Sequence, residues 1–419
     1  VRTLADWLAL HESAHAKSID LDLARVGEVA DELALRPVPY RVITVGGTNG
    51  KGSIVAHLAG LLGEMGMRTG AFTSPHLLRY NERIRIDGGE AGDAELIEAF
   101  ERIEAARRST TLTFFEYNTL AALLIFSARN VDVGVLEVGL GGRLDATNLI
   151  DADVAVLASV GMDHRDYLGD DLESIGREKA GIFRFGRPAV LGSSEMPASV
   201  FAAITATGAR ALIAGRDFTW NIDEGMWSYH GLRQRYAQLP PSALPGAVQY
   251  RNAATAIAAL EALALPQELD RQLIGRALAQ VSLAGRFQIL PGPVEWILDV
   301  SHNEPAARVL ARHLAERARV GRTLAVVGIL RDKDVAGIAR ALDRQIDSWI
   351  LCTLPGPRGS TAAELASRLG PVIEANARQT DSIAEGCALA REQARPGDRV
   401  LVFGSFAVVG SALQWLGLY

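Results

Sequence analysis

The chain reads as an α/β protein in two parts: a larger N-terminal domain on a mostly parallel sheet, then a smaller C-terminal α/β domain. Three observations predict this. Short apolar runs alternate with helix-patterned segments for most of the length, the pattern of a parallel sheet with helices on both faces. At 419 residues the chain exceeds one typical core. Dense Gly/Pro punctuation between Leu283 and Pro293 splits the alternation into two series.

In the first series, Val42-Ile43-Thr44-Val45 begins a strand over 42–46, followed by a helix over 51–65 and a strand over 67–73. Helical patterns cover 93–107 and 116–129, and strands follow at 133–138 and 154–159. Between 216 and 239 the character changes. Residues 218–229 pattern as an antiparallel hairpin with Glu224-Gly225 at its turn, a local insertion. A helix over 249–263 closes the series. The boundaries are therefore 1–284 for the first domain, 285–293 for a linker and 294–419 for the second domain. The second series has strands at 294–299, 322–328, 347–351 and 398–403, with helices at 303–317, 334–343, 360–369, 381–394 and 407–416. It is a Rossmann-like unit with its own sheet. Internal repeats, low-complexity tracts and heptads are absent from the sequence.

Composition excludes several classes. Hydrophobic residues at 48% and charged residues at 22% are ordinary for a globular protein. A net charge of −6 argues against a nucleic-acid or membrane partner. Cys352 and Cys387 stand far apart, without metal-like spacing, which fits a reducing compartment and no disulfide framework. The first residues lack the layout of a signal peptide, and the apolar stretch from Leu120 to Phe126 is far short of a bilayer span. The expected location is cytoplasmic.

Gly46-Gly47-Thr48-Asn49-Gly50-Lys51-Gly52-Ser53 follows the first strand directly. Glycines let backbone N–H groups approach phosphate oxygens, the next helix's first turn adds positive potential, and Lys51 adds a full charge. This is the recipe for holding a polyphosphate, as a P-loop ATPase domain does, and the alternative is a structural glycine turn between strand and helix; Gly52 stands between lysine and hydroxyl where the usual pattern has none. Open α/β sheets bind ligands beyond the carboxyl ends of their strands. That rule selects Ser74, Glu137 and the Asp163-His164 pair, an oxygen-rich set suited to Mg²⁺ beside a triphosphate. Glu137 in an apolar strand is either a metal ligand or the partner of a buried arginine. On position alone His164 reads equally as ligand or structural residue, and Ser74-Pro75 as a turn. Lys179, in the last turn of a helix ending at Gly181, suits the helix dipole and needs no further role. In the second domain Asp299 can accept from ribose hydroxyls, His302 can position a nucleotide or a carboxylate, and Asn303 caps the helix after it. Arg331-Asp332-Lys333-Asp334 reads as a solvated turn or as a cleft wall.

Taken together these residues resemble the folylpolyglutamate synthase family. The carriers, in order, are HAKSIDL at 15–21, GTNGKGS at 47–53, TSPHLLRYNERI at 73–84, TFFEYNT at 113–119, LEVGLGGRLDATN at 136–148, DH at 163–164, REKAGIF at 177–183, NAATA at 252–256, GRFQ at 285–288 and DVSHN at 299–303. The resemblance implies ATP-dependent ligation of L-glutamate to dihydropteroate and to reduced folates through an acyl phosphate, in a monomer. It implies that Gly47, Thr48, Asn49, Gly50, Lys51, Gly52 and Ser53 hold the triphosphate, with Asn252, Arg286 and Asp299 on the nucleotide. One Mg²⁺ falls to Ser74 and Glu137. A second falls to Glu137, His164 and Lys179, the lysine carrying a CO2-derived carbamate and so counting as catalytic. The pterin side is implied at Ile19, Asp20, Thr113, Phe114, Phe115, Leu144, Asp145 and Ala146, and Phe115 also reads as a core ring. His302, the other catalytic candidate, and Ser405 are implied on the glutamate side. One departure is Glu304, where the family has proline after DxxHN; it leaves Asp299 and His302 in place and bears on the helix start. A muramyl-type ligase shares the loop and the chemistry, but carries a further N-terminal domain where about 40 residues precede the loop here. A non-catalytic nucleotide switch would need no Lys179.

Overall fold

The computed structural model describes residues 2–318, 321–370, 373 and 377–419. The chain forms two compact units. One runs to Gly161 and includes Arg165–Ala243 and Gln249–Val281; the other comprises Met162–His164, Leu244–Val248 and Ser282–Tyr419.

In the first unit, β1 (Arg41–Gly46), β2 (Thr69–Phe72), β3 (Ile84–Ile86), β4 (Gly89–Glu90), β5 (Val133–Glu137), β6 (Val154–Leu157), β7 (Pro188–Leu191) and β8 (Arg210–Ile213) make one sheet, ordered β4-β3-β2-β5-β1-β6-β7-β8. The β2-β5-β1-β6-β7-β8 run is parallel, and β3 and β4 add an antiparallel edge. Alternation along β1 buries both faces. Ile43 and Val45 pack with Ile54, Leu58 and Ile257 on one side, while Val42 joins Phe72, Leu120 and Leu136 on the other. From β1 the chain crosses to β2 on one side, and from β6 it proceeds to β7 on the other. The direction of winding therefore reverses between β1 and β6, where such sheets open a crevice at the strand ends.

The hairpin expected at 218–229 is present as β9 (Thr219–Asp223) and β10 (Met226–His230), and β11 (Arg235–Leu239) makes it a three-stranded antiparallel sheet. Beyond the helix Val248–Leu263 the first unit holds one more helix, Arg271–Gln280, capped by Asp270 and packed through Ile274, Ala277 and Leu278 on the same core.

The second unit carries β12 (Gln288–Leu290), β13 (Glu295–Asp299), β14 (Thr323–Val327), β15 (Ser348–Cys352), β16 (Ala377–Thr380) and β17 (Arg399–Phe403), ordered β12-β13-β17-β14-β15-β16. All pairs are parallel except β12 with β13. The stretch read as a linker, 285–293, thus supplies an edge strand. Its apolar Ile289 and Leu290 find a partner in β13, so the Gly/Pro punctuation marks tight turns around that strand. Asn303 caps the helix Glu304–Glu316 by accepting from the Ala306 amide at 3.0 Å, and Glu304 begins that helix with Pro305 in its first turn. Among the described residues no helix is long and apolar enough to cross a membrane.

Candidate active site

The glycine loop leaves β1 at Gly46 and enters the helix Lys51–Glu64 at Gly50, whose φ of 90° is left-handed and accessible to glycine without strain. The loop is pinned to the segment after β6. Thr48 N–H donates to Ser159 O at 2.9 Å, Asn49 N–H to Ser159 Oγ at 3.1 Å, and the Gly161 amide to Thr48 Oγ1 at 3.0 Å. Gly50 has no side chain with which to cap the helix, and N–H groups in such a first turn suit an anion. Lys51 folds back, donating to Gly47 O at 3.0 Å and Thr48 O at 3.5 Å, a local parking place for a charge with a long stem. Ser53 is buried one turn before His57, whose Nδ1 donates to Ser53 O at 2.7 Å. Asn252 is also buried in this unit, with its amide donating to Gln249 and its Oδ1 without a hydrogen-bond partner. A Cβ on Gly50 would lie 3.2 Å from that oxygen.

Glu137 ends β5 beside Val45, 5% exposed, and accepts from the Ser74 amide at 3.2 Å. Both readings of Glu137 survive the structure, because buried Arg83 lies close enough to interact with its charge. Burial pushes the Arg83 guanidinium down, against the charges of Tyr80, Glu137 and Glu82 that support it. Arg83 donates to His76 Nδ1 at 2.8 Å, and burial together with that cation holds His76 down at about 4. Glu82 gathers the amides of Leu77, Leu78 and Arg79, so the 74–79 loop is organised by one carboxylate.

Lys179 is 5% exposed, so its place in the last turn is not that of a solvated helix-end lysine. The loop after β5 packs on that helix end. Arg143 N–H donates to Glu178 O at 2.9 Å, and a Cβ on Gly142 would sit 2.8 Å from Lys179 O, so only glycine permits the approach.

The residues implied on the pterin side fall into two groups. Asp20 pairs with His15 at 3.1 Å and Arg25 at 3.0 Å, and Arg25 reaches Glu116 at 3.0 Å, so the 15–20 segment and the start of the helix Phe114–Ala128 come together. Ile19 is half-buried there. Thr113 spends its hydroxyl on the Glu116 amide as helix cap. Phe114 lies under the Arg83 guanidinium at 5.4 Å, and Phe115 packs against Phe72, so both rings are part of the core edge. Asp145 is 2% exposed and accepts from Leu140 N–H, Thr147 N–H and Thr147 Oγ1. Burial pushes its carboxyl up against those bonds. Asp145 therefore shapes the loop from within, while Leu144 stays half-exposed and Ala146 is buried.

In the second unit a polar cluster surrounds Asp163. Its Oδ1 accepts from Lys333 Nζ at 2.7 Å and its Oδ2 from Asn303 Nδ2 at 2.9 Å, with His302 Nε2 at 3.5 Å. Burial raises the Asp163 carboxyl, but the His302 contact and the charges of His164 and Lys333 outweigh it and hold the group well below the carboxylate range. His164 sits beside it in a left-handed backbone, φ 52°, an uncommon conformation outside glycine. His302 donates from Nδ1 to Val300 O at 2.9 Å, since a carbonyl only accepts. Asp299 is occupied by Phe287 N–H, Ser301 N–H and Ser301 Oγ. Arg286 stacks over Phe406 at 5.0 Å, His302 lies 6.2 Å from the same ring, and buried Ser405 caps that helix.

Residues 45–260 match the Mur ligase middle domain, and 285–406 match the Mur ligase glutamate ligase domain. The dihydrofolate synthase/folylpolyglutamate synthase of Escherichia coli (strain K12) is 43% identical over 412 residues, 98% of this chain and 95% of that protein. The chain belongs to the dihydrofolate synthase/folylpolyglutamate synthase family. The relative of the same name from Haemophilus influenzae is 41% identical over 97% of this chain and 96% of its own. E. coli FolC in complex with DHPP and ADP superposes with a TM-score of 0.94 at 42% identity, covering 100% of this chain and 98% of that one. A bifunctional folylpolyglutamate synthase/dihydrofolate synthase with Mn, AMPPNP and L-glutamate bound gives 0.92 at 42% identity, covering 100% and 99%.

The donor set of the first unit fits a divalent cation of the hard kind. A buried carboxylate at Glu137 and the neighbouring serine offer oxygen, the donor Mg²⁺ prefers, with substrate phosphates completing its shell. Among the described residues no three His, Cys, Asp or Glu side chains gather into a metal site. The sequence points to Asp163 beside His164 and leaves Lys333 open between solvated turn and cleft wall; what it does not announce is the buried pairing of Lys333 with Asp163. Lys179 left a signal that was not used: Ile175, Gly176, Lys179 and Ala180 form the buried stripe of their helix, placing the lysine four residues from Ile175 on its inner face.

Proposed function

We propose that the chain is an ATP-dependent amide ligase that adds L-glutamate to 7,8-dihydropteroate, giving dihydrofolate, and to reduced folates, giving folylpolyglutamates. The observation that carries this is the glycine loop and uncapped helix N-terminus beside the joined Ser74 and Glu137, at neighbouring parallel strand ends.

A carboxylate oxygen of the pterin acid attacks the γ-phosphorus of ATP, the bond to the bridging oxygen breaks, and ADP leaves. The acyl phosphate then takes the amine of glutamate at its acyl carbon. Phosphate departs with the former carboxylate oxygen, and the nitrogen loses a proton. Phosphorylation is needed because oxide is a hopeless leaving group. The loop amides and Lys51, released from its carbonyls, hold the triphosphate in line. Ser74 and Glu137 would hold one Mg²⁺, and Glu137, His164 and carboxylated Lys179 a second. The ions would neutralise charge on the transferring phosphoryl group. Asn252, Arg286 and Asp299 are assigned to the nucleotide, and His302 and Ser405 to glutamate. The reading expects a cytoplasmic monomer.

Incubation with ATP, Mg²⁺, L-glutamate and either dihydropteroate or tetrahydrofolate tests the reading through ADP release. Turnover with both acids is expected. Turnover that requires a muramyl precursor instead would overturn it.

A further inference from the structure

The opposite edge of the first unit's sheet, where β1, β7 and β8 begin, carries a second concavity of about 430 Å³. It is lined by Arg41, Arg187 and Arg210 with one carboxylate, Asp153, and by Leu263 and the ring of Phe185. We propose that this is a binding site for an organic polyanion with a planar ring, distinct from the glycine loop.

Charge carries the argument first. Asp153 Oδ1 takes both Arg41, at 3.1 Å, and Arg187, at 3.0 Å, while its Oδ2 is spent on the Val42 amide at 2.9 Å. Two of the three guanidinium groups thus share the one carboxylate of the lining and Arg210 has no contact with it, which leaves a local excess of positive charge on a chain of net charge −6. Arg41 is committed further, donating to Leu263 O at 3.3 Å. Arg187 gives one N–H to Asp153, and Arg210 gives its Nε–H to Gly186 O at 3.0 Å. Their remaining donors form two planar forks, the geometry that grips phosphate or carboxylate through paired bonds.

The ring is the second observation. Phe185 is 85% exposed, the most exposed of the large apolar side chains described. It sits in the turn just before Arg187, held against Gly208, where a Cβ would fall 2.9 Å from it. An aromatic face presented beside guanidinium forks offers stacking and charge together. A nucleoside triphosphate and a pteroyl chain with several γ-glutamates share the matching chemistry: a flat ring followed by a run of negative groups. The edge is reached from strand starts, whereas the loop lies beyond strand ends, so occupancy of one does not require the other.

Equilibrium dialysis with ATP and, separately, with pteroyltriglutamate tests the site, using the whole chain and the variants Arg187→Glu/Arg210→Glu and Phe185→Ala. All three residues are exposed, so folded content checked by thermal melting should match the wild type. The expected result is one more equivalent of ligand bound by the wild type than by the double variant, at least tenfold weakened by Phe185→Ala and weakened by added salt. An extra equivalent of ATP alone identifies a nucleotide site, and of pteroyltriglutamate alone a site for polyglutamylated acids. Ligase turnover at low substrate should be unchanged in all variants. Equal stoichiometry in wild type and double variant with both probes would overturn the proposal.

Discussion

The amide of Ser74 donates to Glu137 Oε2 at 3.2 Å, tying the loop after β2 to the end of its parallel neighbour β5. Glu137→Gln keeps an oxygen for that bond and removes the negative charge. The expected outcome is a fall in kcat of roughly a hundredfold or more, in the range of a lost electrostatic contact to a reacting group, with a raised Mg²⁺ requirement. Steady-state kinetics over a magnesium titration measures both.

Lys179 is buried at 5% exposure, and the proposed function makes it, as a carbamate, a ligand of the second Mg²⁺. Lys179→Ala should lower turnover by about a hundredfold or more, and added acetate or formate should restore part of it by taking the carbamate's place. Loss of activity without rescue by any short carboxylate would refute the modified lysine.

Lys333 and Asp163 form an ion pair with side chains only 3% and 7% exposed. Removing Lys333 leaves the buried Asp163 charge with only Asn303 and His302 beside it, so Lys333→Met should cost up to about 3–5 kcal/mol of stability in denaturant unfolding. Asp163→Asn in the same chain should recover part of that loss.

His57 and His11 are both pushed by burial from 6.5 to about 4. Above pH 6.5 both states are neutral and the groups contribute nothing. As pH falls from 6.5 towards 4 the unfolded chain takes up protons that the folded chain refuses, and stability drops. Each group adds a slope of about 1.4 kcal/mol per pH unit inside that window. Urea unfolding between pH 7 and 4.5 should show a shallower slope for His57→Gln than for the wild type.

Much of this was legible before any coordinates. The glycine loop, the strands beside it and the helices that follow them declare themselves because buried parallel strands are continuous apolar runs and the loop joins strand to helix through several glycines and one lysine. What stayed hidden has physical reasons. β16 reads Ala-Arg-Gln-Thr, an edge strand whose pairing with β15 comes from backbone bonds and leaves no apolar signature. β12 was masked by the glycines and prolines around it. Asp145, implied on the pterin side, also accepts the Leu140 and Thr147 bonds, which no spacing announces. Lys333 stands among charged neighbours, and its burial at 5% is a product of tertiary packing alone.

The central claim is that the pterin acid is activated by phosphorylation. Dihydropteroate labelled with ¹⁸O in its carboxylate, turned over with ATP and L-glutamate, tests this through the isotope content of the released phosphate. One labelled oxygen per phosphate is the result the account requires, because the acid's own oxygen leaves with phosphorus. Unlabelled phosphate accompanying amide product would contradict it.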